Sequence, residues 1–492
     1  MKAFYKMIVA AVAAGVFVNA YSKVILPSFY ADNMVLQQKA LMTVKGKAIP
    51  NSTVKFKASW DNKTILAKAD AQGEFTIKFR VPAASMKAYK LSFSDGNGEK
   101  VLSDVYSGEV WLCSGQSNME MPVKGWGMIN ENDREVADAA KYPMIRFLQV
   151  RMFANKNKPA DDTELWKTWE ICSPQNVEKF SALAYLFGKE LYDGLRVPIG
   201  LVQSAYGGAS AEAWMGLETL KTFPEMKDEL EKYGKYNFVN DTIQKYAKRA
   251  EQQIPTLLYN TMLYPLHVLP VKGVIWYQGC NNVGNSNYTQ IMNGLIKSWR
   301  NLWGYNFPFY YVQLAGFLKQ ETVQPESNWA ALRWSQWKTL ELPRTGMATA
   351  VDIGNEKDIH PKNKQEVARR LALLALNKTY GKKDLVCEAP APVKYSFSEG
   401  KATLTFNNKI HVRNDSVACG FILCDANNKF VEGKAKLENP TTISITGAGL
   451  GKITAVRYDW ADYPIGNIYG DTNLPVLPFR TDEMPLVNIE KK

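Results

Sequence analysis

Residues 109–119 read Glu-Val-Trp-Leu-Cys-Ser-Gly-Gln-Ser-Asn-Met, an apolar run that passes directly into small and polar residues. The run Glu109–Cys113 predicts a buried strand, because continuous apolar segments are typical of parallel sheets covered on both faces. The residues that follow allow a tight turn with free backbone N–H groups. Ser117 is thereby expected just beyond the carboxyl end of a parallel strand, where α/β sheets bind their ligands.

The same alternation of apolar strands and amphipathic helices continues through residues 104–385. It predicts an α/β domain with a parallel sheet that helices cover on both faces. The predicted strands are Glu109–Cys113, Ile145–Val150, Pro198–Ser204, Gly273–Tyr277, Phe309–Leu314 and Gly346–Asp352. The predicted helices include Ala182–Leu195, Tyr288–Leu302, Trp329–Leu340 and Lys364–Tyr380.

The sequences on both sides of this domain have the pattern of short β-strands. Residues 21–103 show short alternating runs separated by turn dipeptides such as Pro50-Asn51, which predicts a small antiparallel domain. Short β runs return after the Pro-rich joint Ala389–Pro392, so residues 386–492 are expected to form a second β region. A chain of 492 residues is long enough for this division.

The first 20 residues predict a cleavable signal peptide. Lys2 and Lys6 supply positive charge, Met7–Val18 is unbroken apolar sequence, and Ala20 is the small residue needed before cleavage. The apolar run is too short to span a bilayer. We therefore expect a secreted or periplasmic protein without a membrane span.

The composition argues against a nucleic-acid-binding protein, a disulfide-rich scaffold and a metal-binding protein. The net charge of +12 comes from Lys and Arg residues spread along the chain, which predicts a solvated basic surface and no nucleic-acid partner. Six cysteines without a C-x-x-C pair and only three histidines indicate neither a disulfide scaffold nor a metal site. No cofactor is expected, and the sequence determines neither disulfide pairing nor oligomeric state.

A serine needs a base to act as a nucleophile, and the usual base is histidine. On the strand-end pattern alone, a helix-capping serine is the commoner case. His267 lies in an apolar segment and His411 lies in the C-terminal β region. His360 follows a predicted strand of the α/β domain, with Asp358 two residues upstream. Elimination therefore favours Ser117 and His360 as a catalytic pair.

Two further loops follow predicted strands of the same sheet. Ala205–Ser210 is rich in glycine, and Tyr277–Asn282 contains Gln and Asn side chains. Backbone N–H groups and side-chain amides are the donors that an oxyanion hole requires. Singly, each loop is more often an ordinary turn. Together with Ser117 and His360, they make four strand ends of one sheet that carry Ser, Gly, Asn or Gln, and His.

Nine segments resemble the sialate O-acetylesterase-like branch of the SGNH (GDSL-type) hydrolases. In chain order they are Asn33–Gln37, Gly108–Met119, Phe180–Ala182, Leu258–Asn260, Ile275–Gly279, Phe307–Phe309, Asp358–Lys364, Val456–Tyr458 and Pro478–Asp482. The resemblance implies a three-layer α/β/α (flavodoxin-like) SGNH-hydrolase catalytic domain with flanking β-sandwich-like domains. It implies a serine esterase that removes acetyl groups from sugars, with Ser117 as nucleophile and His360 as base.

The resemblance also implies roles for neighbouring residues. Gly208 and Asn282 would be oxyanion donors, with Gln278 as a further candidate. Asp358 would orient His360, although a main-chain carbonyl is the alternative, and Gln116 would contact the substrate. Arg333 is a candidate for binding a sialate carboxylate, with a salt-bridged helix residue as its alternative. Cys280 departs from the family, which usually reads Gln-Gly-Glu at this point. The change is either tolerated or alters substrate preference or pH behaviour.

The expected partner is an acetylated sugar, and O-acetylated sialic acid is the preferred interpretation. Two alternatives stay open at this point. One keeps the chemistry and makes the substrate acetylated xylan or another plant glycan. The other is a non-catalytic carbohydrate-binding protein.

Overall fold

The computed structural model describes residues 24–61, 63–154, 157–234, 250–415 and 417–486. The predicted signal peptide, residues 1–20, lies outside the described residues. Within these ranges, no helix has both the length and the apolar character that crossing a membrane requires. All six cysteines are free thiols.

The N-terminal region is β structure whose strands pair antiparallel, except that the first pairs parallel with residues 106–108. Its strands are β1 (Val35–Gln37), β2 (Leu41–Lys47), β3 (Thr53–Ala58), β4 (Thr64–Lys68), β5 (Glu74–Arg80) and β6 (Ser85–Ser94). Side chains of β3 and β5 alternate between buried and exposed. This is the expected pattern of a sheet with one face on the core and one in water.

The next strand, β7 (Glu99–Gly115), crosses the predicted limit between residues 103 and 104. Its first half pairs antiparallel with β6, and its second half enters the central sheet. From residue 105 onward every residue is buried, which is the pattern of a strand covered on both faces. The predicted strand Glu109–Cys113 is therefore only part of β7.

The central sheet continues with β8 (Ile145–Val150), β9 (Leu165–Ile171), β10 (Ile199–Ala205), β11 (Gly273–Tyr277), β12 (Phe309–Gln313) and β13 (Thr345–Thr349). The order across the sheet is β13-β12-β11-β7-β10-β8-β9. All of these neighbours are parallel except β8 and β9. The carboxyl ends of the parallel strands, including β7, therefore share one edge.

Helices connect the strands, because parallel neighbours need crossover connections. They are α1 (Ser117–Glu120), α2 (Asn132–Asp138), α3 (Pro174–Val177), α4 (Ala182–Leu195), α5 (Leu217–Leu220), α6 (Lys227–Gly234), α7 (Tyr288–Trp303), α8 (Asn328–Lys338) and α9 (Lys364–Leu374). α4 packs on α9, and α7 packs on α8. Ser181, Ser327 and Asn363 cap α4, α8 and α9, each accepting a hydrogen bond from a first-turn N–H.

The C-terminal region is again all β. Its strands are β14 (Pro392–Ser398), β15 (Lys401–Phe406), β16 (Ile410–Val412), β17 (Phe421–Asp425), β18 (Phe430–Glu432), β19 (Lys434–Asn439), β20 (Thr442–Thr446), β21 (Ile453–Tyr458), β22 (Ile468–Gly470) and β23 (Phe479–Arg480). They form the sheets β14-β15-β20-β19 and β18-β17-β21-β23, with β16 paired to β22. Most of this region has its own apolar core. The predicted α/β class with additional β regions is confirmed.

Gly115 provides a test of the close contact between β7 and β11. Its φ is 140°, and an added Cβ would lie 2.2 Å from the carbonyl oxygen of Tyr277. We expect Gly115→Ala to destabilise the protein by about 2–5 kcal/mol, the sum of backbone strain and overpacking. Gly304→Ala is the control, because φ there is 77° and nothing lies within 4 Å. It should cost only about 1–2 kcal/mol. Equal losses of thermal stability would contradict the role of the contact.

Candidate active site

Ser117 lies just past the carboxyl end of β7, where it begins α1. β11 holds this turn in place. The Gln116 N–H donates to the Tyr277 carbonyl over 2.9 Å, and the Gly279 N–H donates to Gln116 Oε1 over 3.0 Å. The structure therefore places Gln116, which we predicted to contact substrate, in a buried bridge between two strand ends.

His360 lies in the loop between β13 and α9, and its Nε2 atom is 2.9 Å from Ser117 Oγ. The other two histidines lie elsewhere. His267 Nδ1 contacts the Tyr264 carbonyl oxygen in a turn before β11, and His411 belongs to β16. Of the three histidines, the structure thus brings His360 to Ser117.

Asp358 faces the second nitrogen of the His360 ring. Its Oδ1 atom is 3.3 Å from Nδ1 and also accepts the His360 backbone N–H over 2.9 Å. Burial lowers the pKa of His360 below the ordinary 6.5, and the charge of Lys364 lowers it further, whereas Asp358 opposes both. The imidazole is therefore neutral near pH 7 and can accept a proton at Nε2.

The loop after β10 lies against Ser117. A Cβ on Gly207 would lie in ordinary contact with the Ser117 Cβ, at 3.5 Å, but only 2.9 Å from Glu120 Oε2. The Gly207 N–H donates to Glu120 Oε2 over 2.6 Å, which fixes the loop to α1. Gly208 has φ of 70°, and in the described part of the chain its N–H meets no protein acceptor. Sequence reasoning missed Glu120, three residues after Ser117.

The side-chain donors of Gln278 and Asn282 are occupied by protein groups. Gln278 Nε2 donates to the Ala209 carbonyl and to Asn282 Oδ1, over 3.0 and 2.7 Å. Asn282 Nδ2 donates to both carboxylate oxygens of Glu212, over 3.0 and 2.9 Å. Contrary to the prediction, neither amide is free in this structure to bind a substrate oxygen. Both instead tie together the loops after β10 and β11, Gln278 through the Ala209 carbonyl and Asn282 through Glu212, which sequence reasoning missed.

Arg333 does not join this group of residues. It lies on α8 with 0% of its surface exposed, and its guanidinium donates to the carbonyl oxygens of Ala315, Ala461 and Asp462. Two of these carbonyls belong to the C-terminal region. The structure therefore gives Arg333 a contact between regions of the chain, and not the predicted contact with a substrate carboxylate.

A cleft of about 210 Å³ lies near His360, although neither His360 nor Ser117 is among the residues that line it. Glu120 of α1 lines it, and so does Trp126, whose ring centroid is 5.3 Å from that of His360. Trp166 lines the same cleft, and both tryptophans are exposed, by 44% and 52%. Exposed aromatic rings beside a cleft offer flat surfaces on which an amphipathic ligand can pack.

A larger cleft, of about 940 Å³, lies at the opposite ends of the strands. Its lining includes Lys272, Pro308 and Thr345, which lie at the amino ends of β11, β12 and β13. Ligands of parallel sheets bind at the carboxyl ends, and the smaller cleft lies on that side, lined by Val150 and Ala205 at the ends of β8 and β10. Within the described ranges, no three His, Cys, Asp or Glu side chains gather as a metal site would require.

Comparison with known proteins identifies the family. Residues 107–377 match the family described as carbohydrate esterase, sialic acid-specific acetylesterase. The chain is 31% identical to a sialate O-acetylesterase from Mus musculus, with 88% of this chain and 89% of the relative covered. The chain belongs to the sialic acid-specific acetylesterase family. A sialate O-acetylesterase from Homo sapiens is 29% identical, over 89% of this chain and 87% of the relative.

A solved structure shows the same architecture. The crystal structure of a carbohydrate acetylesterase from Xanthomonas citri matches with a TM-score of 0.82 and 36% identity. The match covers 94% of this chain and 100% of the other. This member of the acetylesterase family is therefore a carboxylic ester hydrolase, and not the non-catalytic binding protein considered above.

Cys280, the departure from the family pattern, lies in a short turn after β11. Burial raises the pKa of its thiol to about 12, and the nearby Lys364 lowers it only in part. The thiol is therefore protonated near neutral pH. A protonated thiol is a poor nucleophile.

The state of His360 can be measured directly, because the chain has only three histidines. We expect the imidazole of His360 to titrate with a midpoint below about 6.5, the value of a free side chain. The measurement is an NMR titration of the histidine ring protons, assigned with His267→Gln and His411→Gln. Because only the neutral ring accepts a proton, ester hydrolysis should fall with the same midpoint as the pH is lowered. A midpoint above the free value would contradict the burial argument.

Proposed function

We propose that this chain hydrolyses O-acetyl esters of sugars through an acetyl-enzyme on Ser117. The observation that carries the proposal is the 2.9 Å distance between Ser117 Oγ and His360 Nε2. This distance lies within the range needed for direct proton transfer. Family membership supplies the independent support for ester hydrolysis.

The proposed reaction has two acyl-transfer steps. Ser117 Oγ attacks the acetyl carbonyl while His360 Nε2 takes its proton, and the same proton then goes to the departing sugar oxygen. Water hydrolyses the acetyl-enzyme with His360 as base again. The backbone N–H groups of Ser117 and Gly208 are the proposed oxyanion donors, because in the described residues neither has a protein acceptor.

We also propose that the central region is a three-layer α/β/α, SGNH-type catalytic domain. Trp111 of β7 contacts Phe187 of α4, whereas Trp276 of β11 contacts Trp299 of α7. Register pairs Trp276 with Ser114, three residues beyond Trp111, so the two tryptophans point to opposite faces of the sheet. This arrangement supports helices on both faces.

The limits of this domain, residues 104–385, and its β-sandwich-like flanks belong to the same proposal. A cleavable signal peptide in residues 1–20, and hence a secreted or periplasmic location, also remains a proposal. It rests on the composition of those residues.

O-acetylated sialic acid is the substrate that we favour, as the names of the relatives suggest. Trp126 and Trp166 offer apolar surfaces to a sugar ring of either candidate substrate. Lys179 distinguishes the candidates, because it lines the cleft and, among the described residues, no acidic side chain lies within 4 Å of its ammonium. A free cation favours a sugar that carries a carboxylate over neutral xylan.

Acetate release from two substrate panels tests this proposal. We expect the wild-type enzyme to release acetate faster from O-acetylated sialosides than from acetylated xylo-oligosaccharides. Ser117→Ala should keep its circular dichroism spectrum and release none, because its nucleophile is absent. Lys179→Gln should raise KM for sialosides about 2- to 5-fold, since an exposed ion pair contributes up to about 1 kcal/mol.

The xylo-oligosaccharides provide the internal control for Lys179→Gln, because their neutral rings give the ammonium nothing to bind. Turnover that survives in Ser117→Ala would place the nucleophile elsewhere. Faster release from xylo-oligosaccharides by the wild-type enzyme would favour the plant-glycan alternative.

Asp358 is the proposed third member of the triad. If its carboxylate stabilises the imidazolium that forms during the reaction, Asp358→Asn should lower kcat by orders of magnitude with little change in KM. The alternative assigns orientation of His360 to a main-chain carbonyl and leaves Asp358 as a turn residue. In that case the variant loses about 1 kcal/mol of stability and keeps its turnover. Kinetics and a melting curve from one preparation separate the two outcomes.

A further inference from the structure

Asn118 and Lys364 form a buried connection between the two halves of the active site. Asn118 follows Ser117 in α1, and its Nδ2 donates to the Ile359 carbonyl over 3.1 Å. Lys364 lies in the first turn of α9, and its Nζ donates to Asn118 Oδ1 over 2.7 Å and to the Pro361 carbonyl over 2.6 Å. The two carbonyl groups belong to the residues on either side of His360.

We propose that Asn118 and Lys364 are positioning residues, a clamp that holds the backbone around His360 against the residue next to Ser117. The inference rests on the proposed roles of Ser117 and His360. Three hydrogen bonds run in series from Ile359 through the clamp to Pro361, so the loop cannot shift without breaking one of them. Both side chains are buried, by 99% and 100% of their residue surface. Buried hydrogen bonds to a charged group are costly to leave unmade.

The clamp carries a cation without a close carboxylate. In the described part of the chain, no Asp or Glu oxygen lies within 4 Å of Lys364 Nζ. The groups that face it are Asp358 on its own loop, the Cys280 thiol after β11, and the Tyr277 ring at 5.8 Å, together with His360. An apolar side chain would cost less to bury, so the hydrogen bonds of Lys364 to Asn118 and Pro361 have to offset the cost of burying its amine.

The charge of Lys364 acts on His360 in a defined direction. Burial lowers the pKa of Lys364 to about 7, and Asp358 and Cys280 oppose that shift. Lys364 is therefore charged over the acid range in which His360 titrates. A positive charge disfavours the imidazolium, so removing it should raise the pKa of His360. The value of kcat/KM falls as the pH is lowered and His360 becomes protonated, and we call this part of the pH profile the acid limb. Removing the charge of Lys364 would then move the acid limb to higher pH.

The test compares Lys364→Met and Asn118→Leu with the wild-type enzyme on a chromogenic acetate ester. Both variants should lower kcat by about 10- to 100-fold with KM nearly unchanged, as expected for a misplaced catalytic group. Lys364→Met should in addition move the acid limb of kcat/KM to higher pH, whereas Asn118→Leu should leave the limb in place. A merely structural role for Lys364 would lower stability without moving the limb.

Lys189→Met is the matched control, because Lys189 is also largely buried but pairs with Glu135 and Asp138 away from the site. It should lose thermal stability and keep the wild-type pH profile.

If Lys364→Met does not fold, Cys280→Glu and Cys280→Gln decide the question. The first adds a carboxylate beside Lys364 and should also move the limb to higher pH, whereas the second adds the same volume without charge and should not.

The outcomes separate this inference from the proposed function. A wild-type protein that does not hydrolyse the acetate ester would contradict the proposed function itself. An active enzyme whose folded Lys364→Met variant keeps both kcat and its acid limb would overturn the clamp alone. The same holds if Lys364→Met does not fold and Cys280→Glu and Cys280→Gln give identical pH profiles.

Discussion

The contact between the carboxyl ends of β7 and β11 constrains the rest of the active site. It requires Gly115, because an added Cβ would lie 2.2 Å from the Tyr277 carbonyl oxygen. Once the strands meet there, the Gln116 N–H is satisfied by Tyr277, and its side chain anchors Gly279. These contacts fix the backbone of Gly115 and Gln116, and they therefore fix the position of Ser117 at the strand edge. The loops after β10 and β11 are built around this fixed point.

Much of this arrangement could be predicted from local sequence. Continuous apolar runs marked the parallel strands, and the first residue after a strand marked the edge where ligands bind. Because only three histidines exist, elimination was enough to select His360. The structure brings its Nε2 within 2.9 Å of Ser117 Oγ. The approach of the two loops could be predicted because strand polarity alone fixes which loops share an edge, whereas the catalytic roles of Ser117 and His360 stay predictions.

The predictions that failed concern where a side chain directs its donors. A sequence shows that Gln278, Asn282 and Arg333 carry N–H groups, but not which acceptors the fold supplies. Glu212 takes the donors of Asn282, and backbone carbonyls of the C-terminal region take two contacts of Arg333. Since buried polar groups are nearly always paired, such partners cannot be inferred without the packing. The predicted strand Glu109–Cys113 was too short for a different reason. The first half of β7 pairs with β6 and is partly exposed, whereas its second half lies in the central sheet and is buried throughout.

The C-terminal region supports the start of the loop that carries His360. Asp352, at the start of that loop, binds Arg370 of α9 through paired contacts of 2.7 and 2.8 Å. Burial alone would raise the pKa of Asp352, but the hydrogen bonds and charge of Arg370 keep it below its ordinary value. Tyr469 of β22 donates to the same carboxylate over 3.2 Å. A region distant in sequence thus completes the support of Asp352 at the start of the loop.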